Sequence, residues 1–390
     1  MKFGPAFSSQ LMLALSILSI MPVAFGAENG RQVSARTPVI GASHELAAER
    51  PVLREVVPSE AAVAAKPNPW KELATLPGAV VHDISFSSLK VGYAAAELGQ
   101  VWKTTDGGVN WTEIVNLGFP YYWYGVHALT GKDVVISGFN DQTFQGIIRW
   151  SQDGGKTWTG DIVLTSTGWS DRVRFIDSMD GLVVDQLNTQ AANAAHYTTD
   201  GGATAADWTE VVPDPNGGWF GDEFSFLSNK TARMSGITYC ASTDGGATWS
   251  CGPSVDSVFD GPVFFANNKA GWVGGGEISP NVEGWLHRTT DGGKTWSGRV
   301  LDIAWPVREI LFVTPQTGWA VGGNIYSDVG GMYFSHNGGK TWSLDLNSNG
   351  AEMSSCDSRK AGSSYQVWCA GYNSSLNSAI YGLKIRAKSY

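Results

Sequence analysis

The chain has 390 residues, and its 36 acidic residues outnumber its 27 basic ones, which gives a net charge of −9. Binding to a phosphate backbone depends on clustered Lys and Arg, and the sequence contains no such cluster. We therefore expect no nucleic-acid partner.

The first 26 residues have the organisation of a secretory signal peptide. Lys2 precedes the apolar run LMLALSILSI at 11–20, and Ala24 and Gly26 fit the small-residue positions of a cleavage site. The run is shorter than the roughly 20 residues of a membrane span, so we expect a secreted or otherwise extracytoplasmic protein without a membrane span. Residues 27–68 mix Ala, Pro, Val and balanced charges without a period, which is typical of a flexible lead-in or pro-segment.

A short motif then recurs six times. Its copies are TTDGGVNW at 104, SQDGGKTW at 151, TTDGGATAADW at 198, STDGGATW at 242, TTDGGKTW at 289 and SHNGGKTW at 335. The residues at its third position, spaced by 47, 47, 44, 47 and 46, are Asp106, Asp153, Asp200, Asp244, Asp291 and Asn337. A fixed period of this length indicates a repeat architecture.

The repeated aspartate is interpreted as a turn residue. Its carboxylate can accept hydrogen bonds from main-chain N–H groups just downstream, while the two glycines take positive φ without steric cost. Six copies cannot all be catalytic centres in a chain of this size. Asn337 also keeps the turn chemistry without the charge.

Each repeat is predicted to form four short antiparallel strands. In the fifth, GWVGG (271–275) and GWLHRTT (284–290) read as strands, DGG turns the chain, and TWSGRV (295–300) runs back. Units of this kind predict an all-β, seven-bladed β-propeller over residues 69–390. The seventh blade is predicted to take its three inner strands from about 350–386 and its outer strand from 69–74, which removes an open sheet edge.

The four cysteines form two close pairs, Cys240 with Cys251 and Cys356 with Cys369, and in an exported protein such pairs predict disulfides. Neither HExxH nor CxxC is present, so we expect no metal and no cofactor. The sequons at Asn110, Asn229 and Asn373 would accept glycans in a eukaryotic host.

The motif and its period resemble the Asp-box, or BNR, repeat of sialidases, sortilin-type receptors, xyloglucan-cleaving hydrolases and photosystem II assembly/stability factors. The strands GWVGG (271–275) and GWAVGG (318–323) ahead of the boxes look most like the last family, whose members are single seven-bladed propellers, over residues 70–386. That resemblance implies a binding scaffold. The sialidase likeness lacks an F/Y-R-I-P motif and a convincing arginine triad, for which Arg172, Arg174 and Arg308 are the nearest candidates.

Loops that lead from an outer strand into the next blade, and loops that join the two middle strands, should line one face around the channel. The first group is rich in aromatic and charged residues. We predict a ligand-binding surface there, because aromatic rings with a few convergent polar groups are typical of binding sites. Its candidate residues are Tyr121, Tyr122, Trp123, Tyr124, Trp169, Arg172, Trp219, Phe220, Phe259, Trp305 and Arg308.

The favoured function is a monomeric binding or assembly module that recognises a glycan or a protein partner on this face. The alternative is a glycoside-active hydrolase or lyase, which needs two carboxyl groups at a defined separation. The candidate acids for that chemistry are Asp171, Asp222, Glu223, Asp260 and Asp302, with Glu309 nearby.

Overall fold

A computed structural model of the protein describes residues 69–187, 194–214, 220–236, 238–256, 260–277, 283–324, 329–348 and 351–386. The signal peptide and lead-in expected over 1–26 and 27–68 lie outside the described residues. The described residues form 28 strands and one short 3-10 helix at Ala205–Asp207. None of their helices has the length and hydropathy needed to cross a bilayer.

The strands run in chain order through seven sheets of four. They are β1 (Lys71–Leu76), β2 (Val81–Phe86), β3 (Gly92–Ala96), β4 (Gln100–Thr104), β5 (Thr112–Asn116), β6 (Tyr121–Ala128), β7 (Val134–Asn140), β8 (Gln145–Ser151), β9 (Ile162–Thr165), β10 (Gly168–Phe175), β11 (Gly181–Leu187), β12 (Ala194–Thr198), β13 (Thr209–Val211), β14 (Phe220–Ser228), β15 (Thr231–Gly236), β16 (Tyr239–Ser242), β17 (Ser250–Gly252), β18 (Asp260–Phe265), β19 (Gly271–Glu277), β20 (Glu283–Thr289), β21 (Leu301–Ile303), β22 (Val307–Thr314), β23 (Thr317–Asn324), β24 (Val329–Ser335), β25 (Ser343–Asn347), β26 (Glu352–Ala361), β27 (Ser364–Tyr372) and β28 (Ser378–Arg386).

Blades 1 to 6 each consist of four consecutive strands, from β2–β5 to β22–β25, and all pairings are antiparallel. The first strands of neighbouring blades contact one another around the ring and line its axis. This confirms the predicted seven-bladed propeller. We call the end of the channel where the first strands begin the upper face, and the opposite end, where the Asp boxes lie, the lower face.

Blade 7 closes the ring with strands from both ends of the described chain. Its sheet order is β1-β28-β27-β26, and Lys71 of the outer strand pairs with Gly382. The predicted shared blade is confirmed, with its outer strand two residues later than expected. Trp70 anchors the start of β1: its indole Nε1 donates to Asp345 at 2.8 Å, and its ring meets Trp319 edge-on at 5.8 Å.

One predicted strand is displaced. The return strand of the fifth repeat begins at Leu301, not at Thr295. The intervening residues follow the third strand irregularly, since Ser297 N donates to Arg288 O and Val300 N to Leu286 O, both at 2.8 Å. Residues 295–300, which were predicted to begin the return strand, therefore belong to the irregular segment after the box.

The hydrophobic core lies between the blades. Trp368 of blade 7 stacks on Phe86 of blade 1 at 3.8 Å, and Trp272 of blade 5 stacks on Phe312 of blade 6 at 3.5 Å. Each of these four side chains is almost fully buried. The tryptophans of the repeat thus hold one blade to the next, as large apolar plates do.

Both predicted cysteine pairs are disulfide-bonded. Cys240 and Cys251 face each other on the third and fourth strands of blade 4, and Cys356 and Cys369 on the first two strands of blade 7. The Cα atoms are 4.1 Å apart in each pair.

Candidate functional site

The first strand of all seven blades contains a register shift near the upper face. In blades 1, 2 and 3 the extra residue is His82, Tyr124 or Asp171, and in blades 6 and 7 it is Arg308 or Ser354. In blades 4 and 5 the shift falls within 220–224 and 260–263. A bulge removes a residue from the ladder and re-aims its side chain. We call the five single-residue positions the bulge ring.

Arg172 connects the bulge ring at the axis. Its guanidinium donates to the carbonyl oxygens of three bulged residues, His82 at 3.1 Å, Tyr124 at 3.3 Å and Ser354 at 3.4 Å. Buried carbonyls outside a ladder need another donor, and one buried arginine supplies it for blades 1, 2 and 7. The described contacts of Arg172 are with other residues of this chain. Its predicted contact with a ligand stays a prediction.

Asp83 balances the charge of this arginine. Its carboxylate lies 2.9 Å from Arg172 and 2.8 Å from Arg174, and it accepts hydrogen bonds from the Ser355 hydroxyl and the Val126 amide, both at 2.8 Å. Burial would raise the pKa of Asp83, but the two arginines outweigh it and hold the pKa below its ordinary value. The axis of blades 1, 2, 3 and 7 is thus a closed polar network.

An aromatic and acidic cluster lies above this network. The His82 ring is 5.0 Å from Tyr124 and 5.9 Å from Tyr372, edge to face in both cases, and its Nε2 is 3.4 Å from Glu97. Burial, followed by the negative charges of Glu97 and Asp171, raises the pKa of Tyr124 well above its ordinary value. Three aromatic rings and at least two carboxylates therefore share one region of the upper face.

Asp141 joins the same cluster from blade 2. It is 9% exposed, and its Oδ1 has no hydrogen-bond partner among the described residues. Burial raises the pKa of Asp141. Burial also raises the pKa of Tyr122, as do the charges of Glu97 and Asp141.

Several predicted residues lie between blades and away from the channel. Trp123 is fully buried and stacks with Tyr121, whose hydroxyl donates to Asp161 at 3.2 Å. Trp305 is buried with its ring 5.7 Å from Tyr333.

Other predicted residues lie at the edge of the cluster or outside the described part of the chain. Trp169 packs edge-on against Phe139 at 6.1 Å. Arg308 forms an ion pair of 2.8 Å with Glu352, and Asp302 is exposed and 3.3 Å from Arg299. Glu309 is buried. Trp219 and Phe259 lie outside the described residues, as do the side chains of Phe220, Asp222, Glu223 and Asp260.

The sequence analysis missed His82, Glu97, Asp141 and Tyr372. The last three lie in or beside the loops that join the second and third strands, for example at the end of β3 and of β7. The prediction placed these loops on the binding face but took its candidate residues from the loops that follow the outer strands. The sequence around His82 contains no signal for such a placement, because the position of a bulge depends on how two strands pair.

The Asp boxes lie at the lower face, where each described carboxylate accepts hydrogen bonds within its own turn. Asp291 Oδ1 accepts from the amides of Lys294 and Thr295 at 3.1 and 3.0 Å, and Oδ2 accepts from the Thr295 hydroxyl at 2.6 Å. These hydrogen bonds lower the pKa of Asp291 to about 2. Asn337 accepts the equivalent amide bonds and donates its Nδ2 to the Thr341 hydroxyl.

A serine, an aspartate and a histidine meet in blade 3. Ser170 Oγ donates to Asp185 at 2.5 Å, and His196 Nδ1 lies 2.5 Å from the other oxygen of the same carboxylate. In a nucleophilic triad the histidine would stand between the serine and the acid. Here the acid stands in the middle and all three residues are buried, so the arrangement is a structural chain of hydrogen bonds.

Fold and site together define a seven-bladed Asp-box β-propeller with an aromatic and acidic upper face. The BNR/Asp-box repeat model matches residues 333–344, which include the box of Asn337. No curated protein matches the sequence.

Solved structures with the same fold include YCF48 bound to a D1 peptide, at 18% identity and a TM-score of 0.57, over 82% of this chain and 98% of that one. YCF48 from Cyanidioschyzon merolae matches at 18% identity with a TM-score of 0.57, over 81% of this chain and 98% of that one. The WD40 β-propeller domain of Doa1 matches at 13% identity with a TM-score of 0.55, over 80% of this chain and 96% of that one. At these identities the likeness establishes the fold.

Proposed function

We propose that this protein is a non-catalytic binding or assembly module that recognises a protein partner on its upper face. The observation that carries the proposal is the cluster of His82, Tyr122, Tyr124, Glu97 and Asp141, in which bulges and loops of blades 1 and 2 bring aromatic rings and carboxylates together. Aromatic side chains with a few polar groups placed among them are typical of binding sites.

A protein partner is favoured over a glycan by two considerations. One solved structure of the same fold, YCF48, was obtained with a D1 peptide bound. The upper face of blades 1 and 2 also exposes large apolar side chains, Phe119 at 60% and Phe144 at 50%. Exposed apolar groups beside a polar cluster suit a protein surface.

We also propose that the protein acts outside the cytosol. Disulfides persist in oxidising compartments and are rare in the cytosol. All four cysteines are paired in two disulfides, which supports the location expected from residues 1–26.

The alternative, a glycoside-active enzyme, has less support. Of its five candidate acids, the structure describes the side chains of Asp171 and Asp302. Asp171 is buried in the bulge ring, whereas Asp302 is exposed and paired with Arg299. These two carboxylates therefore lie in different environments and contact different residues.

The proposal is tested by site-specific photo-crosslinking in the cells that produce the protein. A crosslinking residue at Phe119 should capture a protein, whereas one at Leu89, which is exposed on the lower face, should not. A glycan array and a reducing-sugar release assay complete the test. Sugar release that is lost in Asp171→Asn would establish the hydrolase, and glycan binding that is lost in Tyr122→Ala would replace the protein partner with a sugar.

A further inference from the structure

Three bulky apolar residues adopt a left-handed backbone conformation. Among the described residues, the non-glycine positions with positive φ are Leu98 (54°), Phe144 (56°) and Leu376 (57°). Their side chains are 38%, 50% and 36% exposed. We call these three residues the apolar tips.

The apolar tips occupy equivalent places in three consecutive blades. Leu98 follows β3, Phe144 follows β7 and Leu376 follows β27, so each lies in the loop joining the second and third strands of blade 1, 2 or 7. All three loops belong to the upper face. Each loop also begins beside a member of the aromatic and acidic cluster, namely Glu97, Asp141 or Tyr372.

This combination is costly for folding. The left-handed conformation is unfavourable for an L-residue other than glycine or asparagine, and a large exposed side chain gains little from burial in return. A turn alone would favour Gly or Asn at such a position. Backbone strain of this kind clusters at active sites, ligand clamps and switch regions.

The same loops contain two carboxylates, Glu97 directly before Leu98 and Asp141 in the loop of Phe144, and we call this pair the acidic floor. One oxygen of the buried Asp141 lacks a hydrogen-bond partner among the described residues, and the charges of both carboxylates raise the pKa of Tyr122. Tyrosine faces attract cations, and a desolvated cation beside a carboxylate makes a strong hydrogen bond. A lysine or arginine side chain satisfies both, and the net charge of −9 attracts it at long range.

We propose that the apolar tips and the acidic floor of blades 7, 1 and 2 form a docking surface for a segment of a partner protein that carries a Lys or Arg between apolar side chains. This inference rests on the proposed function, in which the partner is a protein. It adds the chemistry of the segment. Apolar side chains of the segment contact the three apolar tips, and its basic group binds at Glu97 and Asp141, beside Tyr122 and Tyr124.

The test uses a phage-displayed library of random dodecapeptides selected on the full-length protein. Selected peptides should be enriched in a Lys or Arg flanked by Leu, Phe or similar residues. By fluorescence anisotropy, Asp141→Asn and Phe144→Asn should each weaken a selected peptide on the order of tenfold, as for a central contact residue. Leu89→Asn, which removes a side chain of similar exposure (42% against 50% for Phe144) from the lower face, should leave binding unchanged.

A stability measurement separates binding from folding. Because asparagine tolerates positive φ better than phenylalanine, Phe144→Asn should keep or raise the melting temperature while it loses the peptide. Peptides that need Phe144 but no basic residue would overturn this inference and leave the proposed function standing. Peptides unaffected by both upper-face variants, or no enrichment at all, would overturn the proposed function as well. Binding of spermidine alone as tight as that of the peptides would show a small-cation site and refute the docking proposal.

Discussion

The guanidinium of Arg172 lies 2.9 Å from the carboxylate of Asp83, and this ion pair joins blades 3 and 1, which are not neighbours in the ring. The same arginine donates to bulge carbonyls of blades 1, 2 and 7. The position of the upper-face cluster therefore depends on a buried charge below it.

Replacing Asp83 with asparagine should destabilise the protein strongly. The change removes the negative charge that Arg172 and Arg174 share in a buried site, and breaking such a pair costs about 3–5 kcal/mol. Urea denaturation measures the loss. Asp302→Asn, which removes an exposed partner of Arg299, is the matched control and should change little. Equal effects of the two variants would contradict the buried network.

Asp291→Ala should lower the melting temperature by several degrees, whereas Asp291→Asn should retain most of the stability, because Asn337 forms the same turn. Peptide affinity should be unchanged in both variants. The pKa of Asp291 is lowered to about 2, so its contribution is fully present above its ordinary value of 3.8 and is lost as the pH falls toward 2. A loss of binding at full stability would refute the turn assignment.

Trp70→Ala in the full chain should destabilise the closure of the ring. The substitution removes the edge-on contact with Trp319 and the hydrogen bond to Asp345, and large-to-small changes at buried tryptophans cost about 3–5 kcal/mol. Trp70→Phe keeps a ring and should lose less. Thermal unfolding followed by circular dichroism gives both values, and an unaltered melting temperature in Trp70→Ala would mean that β1 is dispensable.

Removing both cysteines of blade 7, by Cys356→Ala with Cys369→Ala, should cost up to about 3 kcal/mol according to the chain-entropy model. The equivalent change at Cys240 and Cys251 should cost a similar amount, because the sequence separations are 13 and 11. Mass spectrometry of the unreduced, proteolysed protein checks the pairing itself. A peptide linking Cys240 to Cys356 would show that the strand registers are wrong.

Blade 3 should lose stability as the pH rises through the neutral range. Burial would lower the pKa of His196, but the hydrogen bond and charge of Asp185 outweigh it and raise the pKa above its ordinary 6.5. A raised pKa stabilises the fold fully below pH 6.5, and this stabilisation is lost as the pH rises through the folded-state value. Comparing unfolding free energies of the wild type and His196→Gln across this range tests it, since the variant should have a flatter profile.

The blades were predictable because their signals are local. The Asp box fixes a turn within eight residues, and a period near 47 residues locates the next blade. The bulge ring was not predictable, because the position of His82 or Tyr124 depends on how two strands pair. Trp123 illustrates the same limit: one residue of register decides whether a ring faces the channel or the neighbouring blade. The apolar tips escaped notice because φ cannot be deduced from a leucine or a phenylalanine.

The shared blade has a consequence for the order in which the protein is made. β1 leaves the ribosome before any other strand of the propeller, yet its partner β28 follows about 300 residues later. At typical synthesis rates of about 5–20 residues per second, that is a wait of roughly 15–60 s. During this time the edge of KELATL is unpaired, and Lys71 and Glu72 at its start place charges where another strand would otherwise add. The first propeller strand to be synthesised is thus the last to pair, and the ring closes only after β28 has emerged.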